Sequence, residues 1–137
     1  MEDYIKAKEL MDMDATELIG SVSEREIENA MRSLSVVFPE SYKAFLRDFG
    51  GGDVGGELIF GITGEDNAIT ATQMERTQGL SADLVIIGFW NDTLICLNTG
   101  RMDNGECPVV EVDEEDRVTE VIADSFGQFL YEYLEAE

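Results

Sequence analysis

Residues 45–62 read FLRDFGGGDVGGELIFGI, and the order of elements within this stretch decides the fold. Gly50, Gly52 and Gly55 match the dinucleotide pattern G-x-G-x-x-G, and Gly51 and Gly56 have the spacing of the two P-loop glycines. A nucleotide site needs strand, then glycines, then helix, so that phosphate meets a positive helix N-terminus. Here the order is reversed. Tyr42, Phe45, Leu46 and Phe49 repeat at i, i+3, i+4 and i+7, the spacing of one helix face, and Gly50 is placed to stop that helix. After the glycines, ELIFGI is rich in strand-forming residues. The glycines therefore follow a helix C-terminus, the negative end of its dipole. Glu57 and Leu58 occupy the positions where a P-loop needs Lys and Ser or Thr, and Asp48, Asp53 and Glu57 would repel phosphate. The expected structure is a helix stop and a tight corner into the first strand. No nucleotide and no other cofactor is expected here.

Working outward, residues 1–20 read as an N-terminal helical extension, helical but weakly patterned over 2–13. Asp14 with Glu17, and Ser23 with Glu26, have capping-box spacing. Ile27, Ala30, Met31 and Leu34 give the next helix an apolar face, and Pro39 starts the helix at 39–49 as its first residue. The sheet region spans 56–122. Beyond ELIFGI its strands are LVIIGF, TLICLN, PVVEVD and VTEVI, with a short helix expected around Ala71–Thr77. A C-terminal helix over 124–136 is capped by Asp124 or Ser125 and carries Phe126, Phe129, Leu130, Tyr133 and Leu134 as one stripe. The connections after residue 88 are too short for parallel crossovers, which take a dozen or more residues. The expected class is α+β, a single domain over 1–137 with a mostly antiparallel sheet of about five or six strands flanked by helices.

Charge narrows the partners. Thirty acidic residues face nine Lys and Arg, a net charge of −21 over 137 residues. Residues 51–137 hold 19 of the acids and only three of the bases. Such a field repels nucleic acid and anionic lipid and attracts basic partners. The chain has no histidine, which removes His-based triads, Cys–His dyads and His-ligated zinc, and two cysteines cannot complete a four-cysteine site. Cys96 reads as a small core residue, and Cys107 as part of a polar turn before Pro108. The turn GRMDNGEC resembles a calcium loop around Asn104 and Gly105, but Gly100 and Met102 stand where carboxylates are required, so a turn between strands is expected instead. With no basic-then-apolar leader and no apolar run near 20 residues, the expected setting is cytoplasmic and off the membrane. Trp90, the sole tryptophan, reads either as a rim-of-core aromatic or as a contact anchor. The run Asp113 to Asp116 reads either as a solvated hairpin tip or as a partner contact.

Three segments taken together resemble the SUKH superfamily. FPESYKAFLRDFGGG at 38–52 is similar to its signature helix and glycine corner. TLICLNTGRMDNGECPVVEVD at 93–113 is similar to its strand, turn and strand, and VIADSFGQFLYEYL at 121–134 to its closing helix. The similarity runs from about Glu24 to Leu134 and leaves out the first 20 residues. It implies an α+β domain in which helices flank a mixed sheet, and it carries over no catalytic residues. It also implies an immunity protein that binds and blocks a cognate toxin domain, often a nuclease, of a polymorphic toxin system. Other relatives are regulatory scaffolds, which supplies the alternative of a protein-binding module unrelated to toxins. A carboxylate enzyme is the third and weakest reading, because thirty acids make chance pairs common. The residues expected to meet a basic partner flank strand ends: Asp53, Glu57, Trp90, Asp92, Asp113, Glu114, Glu115 and Asp116. Self-repulsion at −21 should destabilise the compact state and salt should relieve it. The melting temperature at pH 7 is therefore expected to rise between low salt and moderate sodium chloride, with calcium adding little beyond its ionic strength. A large, saturable rise at micromolar calcium would instead reveal a metal site.

Overall fold

The computed structural model describes residues 1–13, 18–113, 115 and 117–136. Three helices open the chain: α1 (Glu2–Met13), α2 (Glu24–Leu34) and α3 (Glu40–Asp48). A hairpin of β1 (Gly52–Val54) and β2 (Glu57–Ile59) follows, then α4 (Ala68–Arg76). Strands β3 (Leu84–Trp90), β4 (Thr93–Asn98), β5 (Val109–Val112) and β6 (Val118–Ala123) form one sheet in that order, and α5 (Phe126–Glu135) closes the fold. Every strand pair among the described residues is antiparallel. The chain is thus α+β, as expected, with its six described strands divided between two sheets. The two-stranded sheet continues into the larger one where Phe60 N–H donates to Ile87 O at 2.8 Å.

The glycine stretch is more than a corner, because β1 lies inside it. Gly55 (φ 59°) and Gly56 (φ 96°) form a two-residue turn with both residues left-handed, the geometry of a type I′ hairpin. The Asp53 carboxylate accepts from Gly56 N–H at 3.0 Å and pins the turn. Upstream, Gly50 (φ 79°) ends α3, and its N–H donates to Phe45 O at 3.1 Å. A Cβ on Gly50 would lie 1.9 Å from Gly20 O, and one on Gly61 would lie 1.7 Å from Gly50 O. Three backbone segments therefore meet with no room for a side chain between them. Gly20 N–H donating to Phe49 O (2.8 Å) and Ile19 N–H to Gly51 O (2.9 Å) fasten the contact.

Helix starts are set by local carboxylates and hydroxyls. Ser23 and Glu26 form the reciprocal capping box at α2; the Asp14–Glu17 pair lies outside the described residues. Pro39 falls one residue before α3, not within it, and provides no side-chain cap. Its fixed φ (−67°) suits the residue before a helix as well as the first residue in it. The cap comes from far along the chain. Asn104 (φ 52°) and Gly105 (φ 81°) make a second left-handed pair, and this turn brings Glu106 to the N-terminus of α3. There its carboxylate accepts from Ser41 N–H (3.0 Å) and Ser41 Oγ (2.7 Å). Ser41 Oγ in turn accepts from Gly127 N–H at 3.0 Å, tying the starts of α3 and α5 together. A carboxylate is favoured at that positive helix end. Asn67 caps α4 through Thr70 N–H (2.9 Å), so this helix begins three residues before the expected Ala71.

Tyr42 sits fully buried at the centre of the main core. Its ring packs edge-on against Phe38 and Phe126, and its hydroxyl donates to Phe60 O at 2.7 Å. Burial pushes its phenol well above the ordinary value. The weakly patterned α1 contributes Tyr4, Ala7 and Met11 to the same core. It lies so close to α5 that a Cβ on Gly127 would meet Tyr4 N at 2.9 Å. Cys107 is buried too, contrary to its reading as part of a polar turn. Burial, with Glu106 adding to it, pushes its thiol up to about 12. The glycine crossing yields a direct test. Gly61→Ala should lower stability in chemical denaturation by about 1–3 kcal/mol or more, the cost of overpacking. A loss below about 0.5 kcal/mol, the size typical of an open surface site, would contradict the close approach.

Candidate functional site

Strand register decides which acidic residues share a region. Trp90 pairs with Thr93 across the β3–β4 turn, and Leu94 pairs with Val112 near the end of β5. The turn at Asn91–Asp92 and the turn after Asp113 therefore leave the sheet at the same end, about two strand spacings or 10 Å apart. The β1–β2 turn joins them. Trp90 Nε1 donates to Leu58 O at 3.2 Å, while Phe60 lies further along at Ile87, so the start of β2 faces the end of β3. Tyr133 from α5 confirms the placement, since its hydroxyl bonds Val54 O (2.6 Å) and Gly55 O (2.8 Å) and its ring lies 5.1 Å from that of Trp90.

Asp53, Glu57, Trp90, Asp92, Asp113 and Glu115 thus lie at one end of the fold; Glu114 and Asp116 lie outside the described residues. Asp53 is exposed on β1, and Glu57 is half-buried on β2 opposite Val54. Asn91 (φ 51°) and Asp92 (φ 63°) form a third left-handed turn, with Asp92 exposed. Asp113 accepts from the backbone N–H groups of Arg117 (3.0 Å) and Glu115 (2.9 Å). The Arg117 N–H foremost, then the Glu115 N–H and the Arg117 guanidinium, hold its carboxyl below the usual range. Arg117 pairs with both Asp113 (3.2 Å) and Glu115 (2.8 Å), so this turn is less negative than its acids alone suggest. Both pairs are surface pairs and add little stability.

Sequence reading missed two features here. Arg117 was not recognised as part of the acidic turn. Glu111 and Glu120 face each other directly across β5 and β6, a like-charge pair that costs the isolated fold. Register is invisible in sequence, so no signal could have paired them. Trp90 takes the rim-of-core place that is one of its two readings. Its ring packs against Phe129 (5.3 Å) as well as Tyr133, with Nε1 bonded to Leu58 O, and it is half-buried. It joins the β1–β2 hairpin, β3 and α5.

Among the described residues, no three His, Cys, Asp or Glu side chains gather where they could share a metal ion. No described helix is long and apolar enough to cross a membrane. The arrangement is a charged surface carried on three tight turns. Compared with known families, residues 1–135 match SUKH_5, described as SMI1-KNR4 cell-wall. The chain belongs to this family. The match includes the N-terminal residues that the three-segment resemblance left out, in keeping with the burial of α1 in the core. Membership is consistent with a role in binding other proteins. Because Trp90 joins three elements, Trp90→Ala should cost about 3 kcal/mol of stability, the low end for a buried aromatic. Thermal and urea unfolding of the variant would measure this, and an unchanged midpoint would mean that the ring is a free contact residue.

Proposed function

We propose that this chain is an immunity protein that binds a cognate toxin domain in the cytoplasm and blocks it without chemistry of its own. The observation that carries this reading is the convergence of three acidic turns at one end of a −21 family member. A nuclease must hold a basic cleft over phosphates. An acidic inhibitor is drawn to such a cleft over several ångströms, and steering of this kind raises association rates by about 10–1,000-fold. Speed has value, because a free nuclease damages the cell's own nucleic acid. In this reading Asp53, Glu57, Asp92 and the run Asp113, Glu114, Glu115 and Asp116 supply the field and the rim. Trp90 holds their turns in place and offers its exposed part to the partner. The Glu111–Glu120 repulsion is relieved when a cation approaches, which favours a basic partner over a neutral one.

Co-expression with the toxin domain encoded in the same operon tests the proposal. Cells should survive, and the two chains should purify together. Changing Asp113, Glu114, Glu115 and Asp116 to Lys should slow association at low salt about tenfold or more and flatten its salt dependence. Death of the co-expressing cells, with no complex recovered, would overturn the reading.

A further inference from the structure

The end of the fold opposite the acidic turns carries a groove of about 510 Å³. Register places it there: Leu84 pairs with Asn98 at one end of β3, and Trp90 pairs with Thr93 at the other, about 20 Å along the strand. One wall is the turn after α2. Ser35 is left-handed (φ 56°), its N–H donates to Arg32 O (3.3 Å), and Val36 N–H donates to Met31 O (3.1 Å). The chain then runs back beside the helix, where Phe38 N–H donates to Met31 Sδ at 3.3 Å. Phe38 is buried, and Val37 before it is left 60% exposed. The other wall is Asp83, at the entry to β3, with Thr99 and Met102 from the β4–β5 connection. Thr99 N–H and Oγ1 both donate to Asp83 O, at 2.9 and 2.6 Å. Arg76 of α4 joins the two walls, donating to Leu34 O and Ala82 O at 2.8 Å each, and so sets the width between them.

We propose that this groove binds an extended segment of a partner protein, one that sets an apolar side chain between an acidic and a basic residue. The floor and lip select the apolar side chain. Met31, Val36 and Met102 are half-buried against the main core, and Val37 stands at the lip. Methionine is unbranched and polarisable, so it adapts to the shape of an incoming side chain. The rim selects the charges. Arg32 and Asp83 line opposite walls, and among the described residues neither forms an ion pair. The Arg32 guanidinium donates to Asn29 Oδ1 at 3.2 Å, while the Asp83 carboxylate accepts no hydrogen bond among the described residues. That carboxylate lies over Gly100, where a Cβ would come within 2.6 Å of Asp83 Oδ2. A cation and an anion left unpaired across an apolar groove match a ligand that carries both signs, unlike the basic surface drawn to the acidic end. Arg32, Val37 and Asp83 are all exposed, so the groove is open along its rim and suits a chain laid across it. At about 20 Å from the acidic turns, this site stands apart from the toxin reading and does not depend on it.

The test uses the full chain, labelled at its methionine methyl groups, and three short blocked peptides. Each has a central leucine, flanked by a glutamate and a lysine, by two lysines, or by two glutamates. The NMR titration is run in moderate sodium chloride, which screens the field of the −21 chain. The mixed-charge peptide should shift the Met31 and Met102 methyl signals saturably and leave the exposed Met74 signal in place. Val37→Ser, at an exposed position, should weaken this binding about tenfold, the loss of one buried valine side chain. Alanine in place of the peptide's leucine should weaken it likewise. The wild-type chain should prefer the mixed peptide, and Arg32→Glu should turn that preference to the two-lysine peptide. The groove is overturned when no peptide shifts Met31 and Met102, when Met74 shifts equally, or when a folded Val37→Ser chain binds as well as wild type. Should Val37→Ser unfold, the wild-type titration with the leucine and alanine peptides decides. A wild-type chain that binds the two-lysine peptide best overturns the charge assignment, because the overall field alone would then be acting.

Discussion

The fold depends on a crossing of three backbone segments at Gly20, Gly50–Gly51 and Gly61. A Cβ at Gly50 or Gly61 would sit only 1.9 or 1.7 Å from a neighbouring carbonyl oxygen, far inside van der Waals contact. That contact lets α3 end against the strand pair and reverse at once into β1 and β2. The Tyr42 hydroxyl can then reach Phe60 O, and Phe60 N–H can reach Ile87 O. Helices and sheet are therefore joined by backbone contacts at the glycines and by one central tyrosine. The glycines that imitate a phosphate loop serve close approach and a left-handed turn, two uses of a missing side chain that need no ligand.

The acidic end exploits a property of tight turns. A type I′ turn needs two residues at positive φ, and Gly, Asn and Asp tolerate that conformation best. Gly55–Gly56, Asn91–Asp92 and Asn104–Gly105 all meet the need. Two of these turns project from one end of the molecule and add exposed charge there. The third turns inward and delivers Glu106 to the N-terminus of α3, where the carboxylate satisfies Ser41. The same turn chemistry thus yields surface charge in one place and a structural cap in another. The surrounding packing separates the two roles.

Alternation along β3 sends its two neighbouring aromatics to opposite faces. Successive side chains of a strand point to opposite faces. Trp90 meets Phe129 and Tyr133 on the α5 side, and the Phe89 side chain is exposed on the other. The more prominent aromatic in the sequence is therefore the internal strut, and its less prominent neighbour is the exposed one. A strand bulge between Ile86 and Gly88 adjusts the register that sets this outcome.

By itself the sequence determined the α+β class, the antiparallel connections, four of the five helices closely, and the sign of the field. These follow from local spacing, capping residues, short loops and composition, all of which act between near neighbours. It also carried the likeness to the SUKH family through three ordered segments. Only the tertiary structure decided that β1 lies inside the glycine stretch, that Cys107 is buried, that Pro39 stands one residue before α3 rather than first in it, and that Glu106 reaches the start of that helix. It alone brought Asp53, Asp92 and Asp113 to one end, set Glu111 against Glu120, and sent Phe89 and Trp90 to opposite faces. Each of these outcomes depends on register or on contact between residues far apart in the chain. A shift of one residue in a strand reverses every facing side chain, and no local pattern records which register the packed core selects.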